Sequence, residues 1–252
     1  MKKALITGAS SGLGEVFARE LANDGYDLIL VARRLYRLER IAEEIEKDSG
    51  RRPIVLRADL TVVGDVEKTG SLLKDVNLLV NNAGFGLIGA FDKLDSGKEQ
   101  EMIRLNVEAL YYLTKKYIEA REGLGGGIIN VASTAAYIPV PYMAVYSATK
   151  AFVLHFSEAI GEELKDRNFK VMVLSPGPTK TEFFKVATGG KKKMPGTMLP
   201  EDVVRAAIKA FGKGRRSLIP GFMNRVIASG SKISPKGLIL RTAGKVFKNG
   251  LI

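Results

Sequence analysis

Tyr146 and Lys150 stand four residues apart in Val145-Tyr-Ser-Ala-Thr-Lys150. A helix with that spacing puts both side chains on one face. A lysine ammonium beside a phenol favours the phenolate, which draws a tyrosine pKa down from about 10 toward working pH. A tyrosine tuned in this way can give a proton to a carbonyl oxygen or take one from an alcohol. The same spacing also suits a plain contact, a tyrosine ring lying on a lysine stem. The rest of the chain decides between the two.

The first element needed is an anchor for a negatively charged cofactor. Near the N-terminus runs Leu5-Ile-Thr-Gly-Ala-Ser-Ser-Gly-Leu-Gly14. The apolar stretch 3–7 predicts a strand, Gly8, Gly12 and Gly14 a tight turn, and Val16, Phe17, Ala18 and Leu21 a following helix. Glycines let backbone approach a pyrophosphate, and the helix N-terminus offers it free N–H groups and positive dipole. The spacing is Gly-x-x-x-Gly-x-Gly, which a simple strand–helix turn can also show.

Alternation continues along the chain. Continuous apolar runs predict strands near 3–7, 26–32, 53–58, 76–81, 127–132, 169–175 and 216–220, as in a parallel sheet covered on both faces. Helices are predicted near 12–23, 35–48, 64–74, 98–120, 143–166 and 201–211, the last opened by Pro200, Glu201 and Asp202. The order means a doubly wound α/β sheet with right-handed crossovers. No internal repeat or linker splits the 252 residues, a length suited to one domain with a large core.

Further motifs fall at strand ends. Asn81-Asn-Ala-Gly84 follows an apolar run, Asn106 lies in a helical pattern, Ser133 ends Ile128-Ile-Asn-Val-Ala-Ser133, and Pro176-Gly-Pro-Thr-Lys-Thr181 follows another strand. Together with the glycine turn and the Tyr146/Lys150 pair, these resemble the short-chain dehydrogenase/reductase family over roughly residues 1–220. That resemblance implies a single Rossmann-type domain with a seven-stranded parallel sheet in the order 3-2-1-4-5-6-7. It also implies roles. Tyr146 is the acid/base on the substrate oxygen, and Ser133 hydrogen-bonds the same oxygen. Lys150 lowers the tyrosine pKa and holds the nicotinamide ribose, and Asn106 positions a water that links Lys150 to solvent.

Cofactor choice turns on Leu28-Ile-Leu-Val-Ala-Arg-Arg34. A site for NAD(H) normally places an acid here for the ribose 2′-hydroxyl. Arg33 and Arg34 suit a 2′-phosphate instead, held by charge-assisted bonds, so NADP(H) is expected over NAD(H). By resemblance, Asp59 and Leu60 bound the adenine, and Asn82 lines the adenosine ribose. Thr179 and Thr181 touch the pyrophosphate or carboxamide. Ser10, Ser11, Leu13, Ala83, Gly84, Pro176 and Gly177 complete the cofactor set. The substrate pocket is expected from Phe85, Ile88, Tyr137, Pro139, Val140, Met143, Pro178, Phe183 and Phe184, an apolar group that favours a lipophilic carbonyl.

Composition narrows the classes. Without Cys there is no thiol or zinc–thiolate chemistry, and with His155 alone no histidine-based metal site or triad is expected. His155 reads as a packing or surface residue. No run is long and apolar enough to span a bilayer, no signal-like segment precedes the first strand, and the expected location is cytoplasmic.

Charge is divided unevenly. Residues 185–252 hold 15 Lys/Arg against 2 Asp/Glu, a net of +13, whereas residues 1–184 hold 24 against 25. Lys191-Lys-Lys193 falls in the expected substrate loop. Residues 221–252 mix Phe222, Met223, Val226, Ile227, Leu238 to Leu240, Val246 and Phe247 with basic residues, and Ser234-Pro235 predicts a helix start. This basic amphipathic extension is expected to pack on its own domain or on a partner subunit of a homodimer or homotetramer. An anionic membrane surface or an acidic carrier protein would also suit it. No motif indicates nucleic acid. The expected function is NADP(H)-dependent carbonyl reduction or alcohol oxidation. The alternatives are a 3-oxoacyl-carrier-protein reductase and a non-enzymatic nucleotide-sensing scaffold.

Overall fold

Aliphatic runs with no polar alternation become strands buried on both sides. A computed structural model describes residues 2–188, 197–230 and 235–251, with side chains as far as Lys248. The chain runs β1 (Lys3–Thr7), α1 (Gly12–Asn23), β2 (Asp27–Ala32), α2 (Leu35–Ser49), β3 (Ile54–Arg57) and α3 (Val63–Gly70). It continues through β4 (Leu78–Asn81), α4 (Ser96–Ile103), α5 (Leu110–Ala120), β5 (Gly126–Val131), α6 (Ala144–Glu163) and β6 (Phe169–Leu174). It ends with α7 (Phe183–Ala187), α8 (Pro200–Gly212), β7 (Ser217–Leu218), α9 (Phe222–Gly230) and α10 (Lys236–Leu251).

These strands form one sheet in the order β3-β2-β1-β4-β5-β6-β7, with every pair parallel. That is the architecture expected from the sequence. Successive strand residues face opposite layers. Ala4, Ile6, Leu30 and Val80 pack under Phe17 and Leu21 of α1, Leu38 of α2 and Val203 of α8. Leu5, Ile29, Val31 and Leu79 pack under Val66 of α3 and Leu113 and Tyr117 of α5. Burying each large side chain contributes about 1.5–3 kcal/mol, so both layers clamp the sheet. Strand order reverses beside β1, and a crevice opens there at the C-terminal ends of β1 and β4.

Three expected elements differ in detail. The helix over 98–120 is broken into α4, a π-helical segment Arg104–Ala109, and α5. The helix over 64–74 stops at Gly70, a poor helix former, and a 3₁₀ turn Leu73–Asp75 follows. The strand over 216–220 shrinks to Ser217–Leu218, ahead of Pro220, which cannot donate to a ladder. The Lys191–Lys193 loop and Ser234 lie outside the described residues. Helix α10 begins directly after Pro235.

Candidate active site

The glycine turn is shaped by its neighbours. Gly8 has φ +66, and a Cβ there would lie 2.8 Å from the Ala83 backbone. At Gly14 a Cβ would lie 2.2 Å from the Gly8 carbonyl oxygen, so α1 can start this close to β1 only with glycine. Thr7 Oγ1 accepts from the backbone N–H of Asn82 and of Ala83, each at 3.0 Å. Asn82 Nδ2 donates to the Thr7 carbonyl at 2.9 Å. Asn82 thus ties the end of β4 to the turn as well as facing the crevice. Ser11, the α1 N-cap, makes no side-chain capping bond to the helix.

Arg34 reaches back to this turn. Its Nη2 donates to Ser11 Oγ at 2.7 Å and to Ser10 Oγ at 3.1 Å, while Nη1 meets Glu182 at 3.0 Å. Arg37, one turn along α2, meets the same Glu182 oxygen at 2.8 Å. Arg33 is freer: its side chain is 62% exposed and lies 3.8 Å from Asp59. Burial alone would raise the Asp59 carboxyl, but hydrogen bonds from Thr61 and the charge of Arg33 outweigh it and hold the group low.

At the other end, α6 presents Tyr146 and Lys150 side by side, both buried. Lys150 Nζ donates to the Val131 carbonyl at 2.8 Å and lies 5.9 Å from the centre of the Tyr146 ring. Ser133 Oγ accepts from Ala135 N–H at 3.1 Å, capping the 3₁₀ turn Thr134–Ala136, and lies beside the Tyr146 phenol. Asn106, in the π segment, accepts from Phe85 N–H at 3.1 Å. It donates to the Phe85 carbonyl at 3.0 Å and to Thr149 Oγ1 at 3.1 Å. A π-bulge commonly marks a functional position, and here it turns one side chain toward two other elements. A Cβ on Gly84 would lie 2.8 Å from Asn106 Oδ1 and 3.4 Å from Lys150 Nζ, which shows how closely the strand end is held.

The electrostatics differ from the sequence expectation. Burial pushes the Tyr146 phenol up to about 12, with Ser133 pulling against it. Burial also lowers Lys150 to about 8. No net depression of the tyrosine results, because desolvation of the phenolate dominates. Tyr146 is therefore a protonated acid at neutral pH.

One cleft of about 940 Å³ joins these two ends. Its lining includes Gly8, Ser10, Ser11, Gly12, Leu13, Arg33, Arg34, Asp59, Leu60, Asn82, Ala83 and Gly84. Ser133, Tyr146, Lys150, Pro176, Gly177, Thr179 and Thr181 line it too. Gly14 and Asn106 stand behind the lining and support it. Of the expected substrate pocket, Phe85, Val140, Met143, Pro178, Phe183 and Phe184 line the cleft. Three residues do not. Ile88 packs with the Met102–Val140–Met143 cluster, Tyr137 turns into the layer of Leu110 and Val153, and Pro139 is exposed. His155 is exposed on α6.

Sequence reasoning missed several residues. Arg37 carried a signal, its helical spacing from Arg34, and Glu182 adjoins the Thr181 motif. Asn224 carried none, yet a Cβ on Gly177 would lie 2.4 Å from its amide. The far wall of the cleft is built by Val226, Ile227, Leu238, Ile239, Val246 and Phe247 from α9 and α10.

A parallel sheet in this order, with a glycine turn at its reversal point and a Tyr/Lys pair across the cleft, defines a Rossmann-type oxidoreductase. Residues 2–191 match the family model for short chain dehydrogenase, and the chain belongs to that family. It is 30% identical over 247 residues to a 7beta-hydroxysteroid dehydrogenase of Clostridium sardiniense, covering 96% of this chain and 94% of the relative. A short-chain dehydrogenase from Sphingobium yanoikuyae in complex with NADPH superposes with a TM-score of 0.87 at 32% identity, covering 94% of this chain and 95% of that one. A bulky-bulky ketone specific alcohol dehydrogenase from Comamonas testosteroni superposes with a TM-score of 0.80 at 29% identity, covering 92% and 93%.

Proposed function

We propose that this protein is an NADP(H)-dependent oxidoreductase that interconverts a bulky, lipophilic carbonyl and its secondary alcohol, with Tyr146 as the proton donor in the reducing direction. The observation that carries this reading is one continuous cleft, with the Arg34–Ser10–Ser11 fork at one end and Tyr146, Ser133 and Lys150 at the other. The nicotinamide, when bound, supplies or accepts the hydride.

The residues present fit such a cofactor. The α1 N-terminus lacks a side-chain cap, so its N–H groups are available to a pyrophosphate. Arg34 is held in place by the serines it would share with a phosphate monoester, and Arg33 adds an exposed second cation. The relative bound to NADPH supports the same choice.

Protein groups manage the proton. Tyr146 stays protonated well above neutral pH and is buried beside Ser133, so both can donate to one substrate oxygen. Lys150 is positive at pH 7, and its charge favours the phenolate that a donated proton leaves behind. Asn106 fixes Phe85 and Thr149 around the pair and acts as a positioning residue. Phe183 packs on the Tyr146 ring at 5.2 Å between centroids and closes the apolar side. A steroid-active relative and a bulky-ketone-active neighbour support a large lipophilic substrate. Self-association is supported by an aromatic cluster on α5 and α6, where exposed Tyr111 meets half-buried Phe156 edge-on and Phe156 stacks on exposed Phe152.

The test is NADPH oxidation across a carbonyl panel of small aldehydes, diaryl ketones, oxosteroids and 3-oxoacyl thioesters. Turnover of the bulky ketones with a tenfold or greater preference for NADPH over NADH is the expected result. Turnover of small polar aldehydes alone would overturn the substrate class.

A further inference from the structure

The last 50 residues, 203–252, contain no acidic residue. Helices α9 and α10 fall in this stretch and carry exposed Arg225, Lys236, Arg241, Lys245 and Lys248. Between these cations stand exposed apolar side chains. Phe222 is 71% exposed, Met223 64% and Leu238 61%. Val226, Ile227, Leu238 and Val246 are at once exposed and part of the cleft wall, so they mark its mouth. We propose that this mouth docks on an anionic lipid bilayer, from which the lipophilic substrate enters the cleft directly.

Charge excludes a simpler occupant. A second copy meeting this face isologously would set one group of cations against the same group. An acidic carrier protein would satisfy the charge but offers no apolar medium to the exposed Phe222, Met223 and Leu238. A bilayer accepts the apolar side chains, binds the basic ones through its headgroups, and holds the substrate. The inference extends the substrate class proposed above, but its primary test needs no turnover.

Vesicle flotation of the full chain provides that test. Phosphatidylglycerol/phosphatidylcholine vesicles should retain at least about tenfold more protein than phosphatidylcholine alone, and high salt should release it. Arg225→Glu/Arg241→Glu/Lys245→Glu and, separately, Phe222→Ser/Ile227→Ser should each lose most of the binding, with melting temperatures near wild type. Equal retention on neutral and anionic vesicles, no retention on either, or unchanged flotation of the charge-reversal variant would overturn the proposal. A halved sedimentation mass in that variant would overturn it in favour of a subunit interface. A silent carbonyl panel with intact flotation would instead count against the catalytic reading alone.

A separate observation lies at the opposite end of the cleft. Glu182 Oε2 sits between Arg34 Nη1 at 3.0 Å and Arg37 Nη1 at 2.8 Å. A carboxylate here occupies the seat that a phosphate monoester would take from these guanidinium groups. Glu182 also directly precedes α7, whose Phe183 and Phe184 line the cleft. The geometry points to Glu182 as an internal phosphate mimic that a 2′-phosphate must displace, which links cofactor arrival to release of α7. This rests on the NADP(H) reading.

Calorimetry with 2′,5′-ADP and 5′-AMP separates the two. Glu182→Gln should bind 2′,5′-ADP about fivefold or more tightly than wild type and leave 5′-AMP unchanged, because it removes only the competing charge. Amide exchange across Phe183–Ala187 should also quicken. Wild-type preference for 2′,5′-ADP with no gain in Glu182→Gln would overturn the mimic. Absence of preference in both proteins would overturn the NADP(H) reading with it.

Discussion

The floor and the mouth of the cleft are built in contrasting ways. On the floor, Tyr146, Lys150 and Asn106 are buried, and each is held by a partner from another element, such as Val131 on β5 or Phe85 after β4. At the mouth, α9 and α10 expose apolar side chains, and among their described residues only Ala228 is buried. Proton chemistry needs groups fixed to fractions of an ångström and shielded from water. Admission of a large apolar molecule needs surface that is apolar and free to be covered. The contrast teaches that one cleft can keep a rigid reactive end and an adaptable receiving end when different layers of the fold supply them.

The largest effect should come from the floor. Tyr146→Phe should lower kcat by about 10³–10⁴-fold, the upper range for loss of a positioned proton donor. The dissociation constant for NADPH should change by less than about twofold, since the role proposed for the lost hydroxyl is toward the substrate. Stopped-flow kinetics and fluorescence titration would check both, and retention of a tenth of the activity would break the division between floor and mouth.

Lys150 gives a pH signature of the same burial. Its folded pKa of about 8 lies below the ordinary 10.5, so below pH 8 folding bears the cost of a buried charge. Stability should therefore rise with pH between those values, as the folded state sheds its proton first, by roughly 3 kcal/mol relative to Lys150→Met. Urea unfolding of both proteins across that range would show the difference. Parallel curves would mean that the ammonium is solvated.

At the cofactor end, Arg34→Ala should cost about 1.5–3 kcal/mol of 2′-phosphate affinity, because it removes charge-assisted bonds from a guanidinium already held by Ser10 and Ser11. Arg33→Ala should cost less, about 0.2–1 kcal/mol, as expected for an exposed cation. Titration with NADPH and NADH would rank them, and a larger loss for Arg33 would reverse this order.

The smallest effect on stability should come from the mouth. Phe222→Ser/Ile227→Ser should change unfolding free energy by only about 0.5 kcal/mol, since both side chains face solvent. Chemical denaturation would check this, and a loss comparable to a core substitution would show that α9 belongs to the packed domain.

Local pattern carried the alternation of strands and helices and the parallel, doubly wound sheet, because runs apolar on both faces admit few topologies once parallel crossovers are right-handed, and the family resemblance supplied the strand order. Local pattern carried Gly8 and Gly14 of the tight turn and the facing pair Tyr146 and Lys150 too, since each sits at a fixed offset from a strand end or helix face, whereas Ser133 came with the resemblance. The sequence could not show what depends on contacts across the chain. The Glu182 carboxylate meets Arg34 across 148 positions, and Asn106 reaches Thr149 across 43. The direction of the Tyr146 shift was also hidden, because spacing shows a neighbouring charge and not the burial that opposes it. Helices α9 and α10 were legible as a basic, apolar stretch, but only the folded chain sets that stretch against the cleft, because a wall is formed by elements remote in sequence meeting in space.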